Sequence, residues 1–288
     1  MITLENEFIK ATVKEAGAEL SSLYGKKTRI NYLWNGDPNF WSRHSPVLFP
    51  IVGGLKNDSY NYKGKRYGLE KHGFARDSTF NEEHVTESSA TFSLSDTPDT
   101  RFKYPFKFIL KIHYSLSGDT LEVGYEVINP DMEILLFSIG AHPAFTVPFI
   151  ENTRYEDYYL ELDKEENAGI WPIEGNLIGG EAEPFLSNSK RINLKDELFY
   201  EDALVFKNLA SAQVSLLNSK TENGITVRFS DFPYLGIWAA KNAPFVCIEP
   251  WCGIADSVNH NQEFSEKEGI IKLDGNSSRT VKWAIRCF

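Results

Sequence analysis

An alternation of period two, running from Phe106 to Val127, constrains this chain more than any other feature. Phe106, Phe108, Leu110, Ile112, Tyr114 and Leu116 are separated by single, mostly polar residues. Ser117-Gly118-Asp119 supplies a turn, and Leu121, Val123, Tyr125 and Val127 resume the pattern. A repeat of two places every apolar side chain on one face of an extended strand, whereas a helix would scatter them around its surface. The segment predicts a long antiparallel hairpin with one apolar face. Residues 9–13, 90–94, 212–217, 225–229 and 281–287 read as further strands. Turn signals separate such segments at Asn35-Gly36-Asp37-Pro38, Lys63-Gly64-Lys65, Asn223-Gly224 and Asp274-Gly275-Asn276. Helical spacing is scarce; residues 259–268 are the one stretch that suggests a turn or two of helix. No linker or composition shift divides the chain. The expectation is an all-β fold, a large antiparallel β-sandwich built as a single domain over residues 1–288.

The totals exclude several function classes. Net charge is -10, from 30 basic and 40 acidic residues. A nucleic-acid binder would carry a basic stripe; the one cluster, Lys63-Gly64-Lys65-Arg66, reads as a hairpin tip, so no nucleic-acid partner is expected. No apolar run reaches the length of a membrane span. The N-terminal residues lack the basic and apolar regions of a signal peptide. Three cysteines, Cys247, Cys252 and Cys287, are an odd count that suits a reducing cytoplasm better than a disulfide framework. The chain carries no P-loop, dinucleotide fingerprint, zinc-protease motif or nucleophile elbow. Cys247 and Cys252 have no second pair to complete a zinc site. The expectation is a site with no cofactor and no metal.

Three segments place polar groups inside apolar, aromatic surroundings. Glu249 lies in Phe245-Val246-Cys247-Ile248-Glu249-Pro250-Trp251, His142 in Ile139-Gly140-Ala141-His142-Pro143-Ala144-Phe145, and His72 and Arg76 in His72-Gly73-Phe74-Ala75-Arg76. An ionised Glu is rarely buried unless it is paired or chemically used. Desolvation raises a carboxyl pKa and a nearby cation lowers it, so Glu249 suits a tuned base; a buried Glu paired with an Arg would look the same. His142 fits a proton donor, and equally a core histidine bonded to a carbonyl. Arg76 can hold a hydroxyl, phosphate or carboxylate, or form a structural ion pair with Asp77 or Glu70. His44, His84, His113 and His260 carry weaker signals. One Glu, two His and an Arg among aromatic rings are equipment for proton transfer on a neutral, ring-shaped polar substrate.

In this order the segments resemble the aldose 1-epimerase (galactose mutarotase-like) superfamily, with the nearest likeness to its LacX-like branch. The match is carried by Ser45-Pro46-Val47-Leu48-Phe49-Pro50-Ile51-Val52-Gly53-Gly54, His72-Gly73-Phe74-Ala75-Arg76, Gly140-Ala141-His142-Pro143-Ala144-Phe145, Asp202-Ala203-Leu204-Val205-Phe206 and Cys247-Ile248-Glu249-Pro250-Trp251. The resemblance implies a galactose mutarotase-like supersandwich. It implies Glu249 as base, His142 as acid, His72 as a sugar ligand that helps polarise the ring oxygen, and Asp202 as an anchor for hydroxyls. Trp251, Phe145 and Trp41 are candidates to stack on the sugar ring. The family's galactose mutarotases carry an Arg ahead of the first site His; Phe49-Pro50-Ile51-Val52-Gly53-Gly54-Leu55 has none. Lys56 and Arg76 are the candidate replacements.

The implied activity is interconversion of α and β hexose anomers by ring opening and closure, by a monomer or homodimer acting on a small sugar. Three alternatives stand beside it. A hexose-6-phosphate 1-epimerase would need a basic pocket, for which Arg76, Lys56 and Arg43 are candidates. A non-catalytic sugar-binding protein would keep the aromatic walls and His72. A glycosidase would pair Glu249 with a second carboxylate about 5–10 Å away, for which Asp202 is the candidate.

Overall fold

The computed structural model describes residues 1–288. Strands dominate, and every pairing between named strands is antiparallel. The largest sheet has nine strands and a second has six, with a four-stranded sheet built from the N-terminal residues. The expected hairpin lies inside the nine-stranded sheet. Ile109–Ser117 pairs with Thr120–Ile128 in the register Leu116↔Leu121 and Ile112↔Tyr125. Its inward residues Leu110, Ile112, Tyr114, Leu121, Val123 and Tyr125 are buried, as the alternation requires. They share one continuous core with Phe206, Ile237, Phe245, Val246 and Ile248 of the six-stranded sheet. Two sheets packed face to face over a common apolar layer are a β-sandwich.

The shorter expected strands are present as Ile9–Lys14, Ser89–Ser95, Gln213–Asn218, Ile225–Arg228 and Ser278–Cys287. The Lys63-Gly64 tip joins Ser59–Tyr62 to Lys65–Gly68, both tip residues taking positive φ as a tight hairpin turn demands. Five elements differ from expectation. The hairpin strand begins at Ile109, because the Phe106 N–H is committed locally to the Tyr104 carbonyl. Residues 259–268 contain only a single 3-10 turn, Phe264–Glu266. The helix present, Pro98–Lys103, is short and starts at a Thr97 capping box with Pro at its first turn. Two long strands, Tyr158–Ile170 and Glu183–Asn193, carry too many charges to sustain an alternation beyond Leu162. Glu183–Asn193 is the edge strand and pairs with Tyr158–Ile170 through register shifts, and most of its residues are exposed.

The six-stranded sheet positions the site. Its order places Phe245–Cys252 between Tyr234–Trp238 on one side and Ile139–Ala141 on the other. Glu249 pairs with Gly236, and Trp251 pairs with Gly140. Trp251 is wedged between those two glycines. A Cβ on Gly236 would stand 2.5 Å from its Cζ2 and Cη2, and a Cβ on Gly140 would stand 2.8 Å from its Cδ1. The chain therefore needs glycine at both positions to let the indole lie flat across neighbouring strands.

Candidate active site

A cavity of about 490 Å³ opens beside Phe245–Cys252. Glu249, His142, His72, Arg76, Asp202 and Trp251, which the sequence singles out, all line it. At its buried end Glu249 Oε2 lies 3.1 Å from His142 Nε2. The Trp41 ring stacks on the imidazole of His142 with centroids 4.9 Å apart, and Trp238 meets it edge-on at 5.8 Å. The imidazole is thus flanked by two indoles, and the carboxyl beside it is buried.

That enclosure sets their protonation. Burial pushes the Glu249 carboxyl well above the usual carboxylate range, against the opposing pull of the Lys71 ammonium and the Trp251 indole N–H. Burial drives the His142 imidazole down to about 3, helped by the positive charges of Lys71 and Arg76. Each group is held toward its neutral form. Burial thus opposes the charged forms that a carboxylate base and a protonated His require.

His72 sits where the backbone folds back sharply, with a positive φ of 69° followed by Gly73 at the same φ. Its own N–H donates to the Gly53 carbonyl at 2.9 Å, and the Gly53 N–H donates to its Nδ1 at 3.1 Å. A ring nitrogen that accepts a backbone N–H carries no proton. Burial and the neighbouring His142 keep the imidazole uncharged. Its hydrogen is consequently on Nε2, a donor available to a sugar oxygen. Gly53 is held in turn by close packing on Ala255, where a Cβ would stand 2.5 Å away.

Arg76 does two things. It lines the cavity, and its guanidinium donates to the Lys71 carbonyl at 2.9 Å and lies 3.5 Å from Asp77. The ion pair foreseen as an alternative therefore exists alongside its place in the wall. Asp202 turns one oxygen to its neighbour, accepting the Ala203 N–H at 2.7 Å. Trp251 lines the cavity with Val205 and Ile254, and all three belong to one small apolar cluster with Val52. Several expectations are corrected. Lys56 is not in the wall; its ammonium donates to the His260 carbonyl. Arg43 is also outside it, tied to Asp77 at 2.7 Å and to the Arg76 carbonyl. Phe145 is fully buried in the main core and Trp41 takes the place at the wall. Sequence reasoning missed Lys71, Trp238, Asn176 and Lys241. Lys71 immediately precedes His72, and its ammonium donates to Asn176 Oδ1 at 2.8 Å; adjacency to a flagged residue was the available signal.

A profile described as aldose 1-epimerase matches residues 1–281. The chain belongs to the aldose 1-epimerase family. Within the family it is 35% identical over 282 residues to the plasmid-encoded protein LacX of Lactococcus lactis subsp. lactis, covering 94% of each chain. Among solved structures it is similar to a galactose mutarotase related enzyme from Lactobacillus acidophilus, with 35% identity and a TM-score of 0.95 over 100% of this chain and 97% of that one. It is also similar to a galactose mutarotase-like protein from Lactobacillus casei, with 32% identity and a TM-score of 0.94 over 100% of both chains. The galactose mutarotase-like fold expected from the sequence is the fold observed. No helix of the chain is long and apolar enough to cross a membrane.

Proposed function

We propose that this family member is an aldose 1-epimerase that interconverts the α and β anomers of a hexose. The observation that carries the reading is the 3.1 Å approach of His142 Nε2 to Glu249 Oε2 at the closed end of a cavity walled by indoles. An acid and a base within reach of one hemiacetal are what anomer exchange requires.

The pair holds one proton. In the empty cavity burial keeps it on Glu249. A sugar entering the site brings hydroxyl dipoles to both groups and stabilises the alternative arrangement, a Glu249 carboxylate and a His142 imidazolium. Glu249 then takes the proton of the anomeric hydroxyl, and His142 gives its proton to the ring oxygen. The C1–O5 bond breaks and an open-chain aldehyde forms. Rotation about C1–C2 presents the other carbonyl face. His142 recovers a proton from the C5 hydroxyl as it attacks, Glu249 returns its proton to O1, and the ring closes as the other anomer. The His72 Nε2–H binds a sugar oxygen, Asp202 accepts from hydroxyls, and Trp41 and Trp238 cover the apolar ring edge. Each of the acid and the base contributes roughly 10²–10⁴-fold.

A second reading, a hexose-6-phosphate as substrate, is favoured by the three cations in the wall, Lys71, Arg76 and Lys241. Anomer exchange measured by saturation-transfer NMR on glucose, galactose and their 6-phosphates tests both readings. Exchange accelerated on any of them identifies the substrate class. Sugar-induced shifts without acceleration on all four would overturn the epimerase reading in favour of a binding protein.

A further inference from the structure

Cys247 lies two residues before Glu249 on the same strand, so both side chains leave the sheet on one face. Its thiol is fully buried and takes no part in the proposed chemistry. One donor atom each of His142, Cys247 and Glu249 falls within 4.8 Å of the others. We propose that His142, Cys247 and Glu249 form an inhibitory site for a thiophilic divalent cation of the Zn²⁺ or Cd²⁺ type, which binds in competition with the sugar.

The donor set argues for that class of ion. Nitrogen, sulfur and carboxylate oxygen together are the ligands of zinc-like cations, while magnesium and calcium call for oxygen alone. Zinc binds sulfur at about 2.3 Å and nitrogen or oxygen at about 2.0–2.2 Å, which for a tetrahedron puts donors roughly 3.3–3.6 Å apart. The His142–Glu249 separation of 3.1 Å is already close to this. The remaining gap, with all three donors inside 4.8 Å, closes with side-chain shifts of roughly 1 Å. Three protein ligands leave the fourth position to water on the cavity side. On binding, the Cys247 thiol proton and the Glu249 carboxyl proton pass to solvent, the Sγ–cation and Oε–cation bonds form, and no electron is transferred.

The same surroundings keep the site from being a resident metal centre. A ligating histidine usually donates its other ring N–H to an acceptor, and losing such a partner costs about 10–100-fold in affinity. His142 Nδ1 is buried with no hydrogen-bond partner. Lys71 adds a positive charge beside the site. The ion therefore binds reversibly and occupies the two groups that the sugar needs. The inhibitory half of the proposal rests on the epimerase reading; the binding half does not.

The test uses the full chain with Cd²⁺ alone, followed by its sulfur-to-cadmium ultraviolet absorption, and then Zn²⁺ in the exchange assay. Wild type is expected to bind one equivalent of Cd²⁺ with that absorption. Cys247→Ser abolishes it, Glu249→Gln weakens binding about tenfold or more, and Cys252→Ser and Cys287→Ser leave it unchanged. Zn²⁺ slows wild-type exchange competitively with the sugar, and Cys247→Ser is at least about tenfold less sensitive. Absence of the absorption, or its loss in Cys252→Ser or Cys287→Ser, overturns the site. Equal Zn²⁺ sensitivity of wild type and Cys247→Ser overturns its inhibitory role. A chain that binds Cd²⁺ through Cys247 yet exchanges no anomer keeps the site and refutes the epimerase reading instead.

Discussion

Gly236→Ala tests whether the flat seat of Trp251 holds Glu249 in place. The added Cβ would stand 2.5 Å from two atoms of the indole. Carbon atoms pack at about 3.5–4.0 Å, so the ring or the strand must yield by roughly 1–1.5 Å. The ring has little room on its other side, because on the opposite neighbouring strand even a Cβ on Gly140 would stand 2.8 Å from its Cδ1. Overpacking of this kind costs about 1–3 kcal/mol. Gly236 is also the cross-strand partner of Glu249, so the displacement reaches the carboxyl. A misplacement of about 1 Å can cost about 10²-fold in rate. Urea unfolding and steady-state anomer exchange together provide the assay. The expected result is a midpoint lowered by the equivalent of about 1–3 kcal/mol, with kcat reduced at least tenfold and a smaller change in KM. Gly140→Ala should behave alike. Stability within about 0.5 kcal/mol of wild type, with kcat within threefold, would refute the reasoning that the two glycines seat the base.

Other outcomes follow from the buried groups. Because burial carries His142 from 6.5 down to about 3, a second proton joins the Glu249–His142 pair only in strong acid. The last proton leaves the pair as pH rises through the elevated Glu249 value. The kcat/KM profile of the free enzyme should thus show no acid limb at the free-imidazole value of about 6.5 and should fall on the alkaline side as Glu249 loses its proton; an acid limb centred near 6.5 would contradict this. His72→Phe keeps a ring but removes the Nε2–H donor, and should lower kcat/KM about tenfold, or roughly 1–1.5 kcal/mol, with an unchanged rate counting against the tautomer. Lys267 and Asp256 form a fully buried ion pair at 3.0 Å behind the Ile254–Ala255 wall. Lys267→Met should cost about 3–5 kcal/mol in urea unfolding, and Lys267→Met with Asp256→Asn should recover part of it; a loss under about 1 kcal/mol would show that the pair does not clamp the wall.

The fold was legible where the inside of a sheet meets the outside. The hairpin around Ser117-Gly118-Asp119 alternates because one face is core and the other is wet. The strand Tyr158–Ile170 and its edge partner Glu183–Asn193 escaped because, beyond Leu162, charges occupy both phases of their pattern. The lining of the cavity was legible for a related reason. Glu249 and His142 stand out as polar residues in apolar runs, and such residues are costly unless they face something. Lys71, Asn176 and Lys241 lie in polar surroundings where another polar residue carries no signal. Trp238 was hidden by the ordinary apolar character of its strand. How deeply His142 is enclosed was beyond the sequence, since Trp41, which stacks on it, lies more than a hundred residues away along the chain.

Saturation-transfer NMR of wild type beside Glu249→Gln, on a sugar the wild type turns over, tests the central claim most directly. The account predicts that Glu249→Gln stays folded, still shows sugar-induced shifts, and loses about 10²–10⁴-fold in anomer exchange. Exchange by Glu249→Gln at the wild-type rate would contradict it.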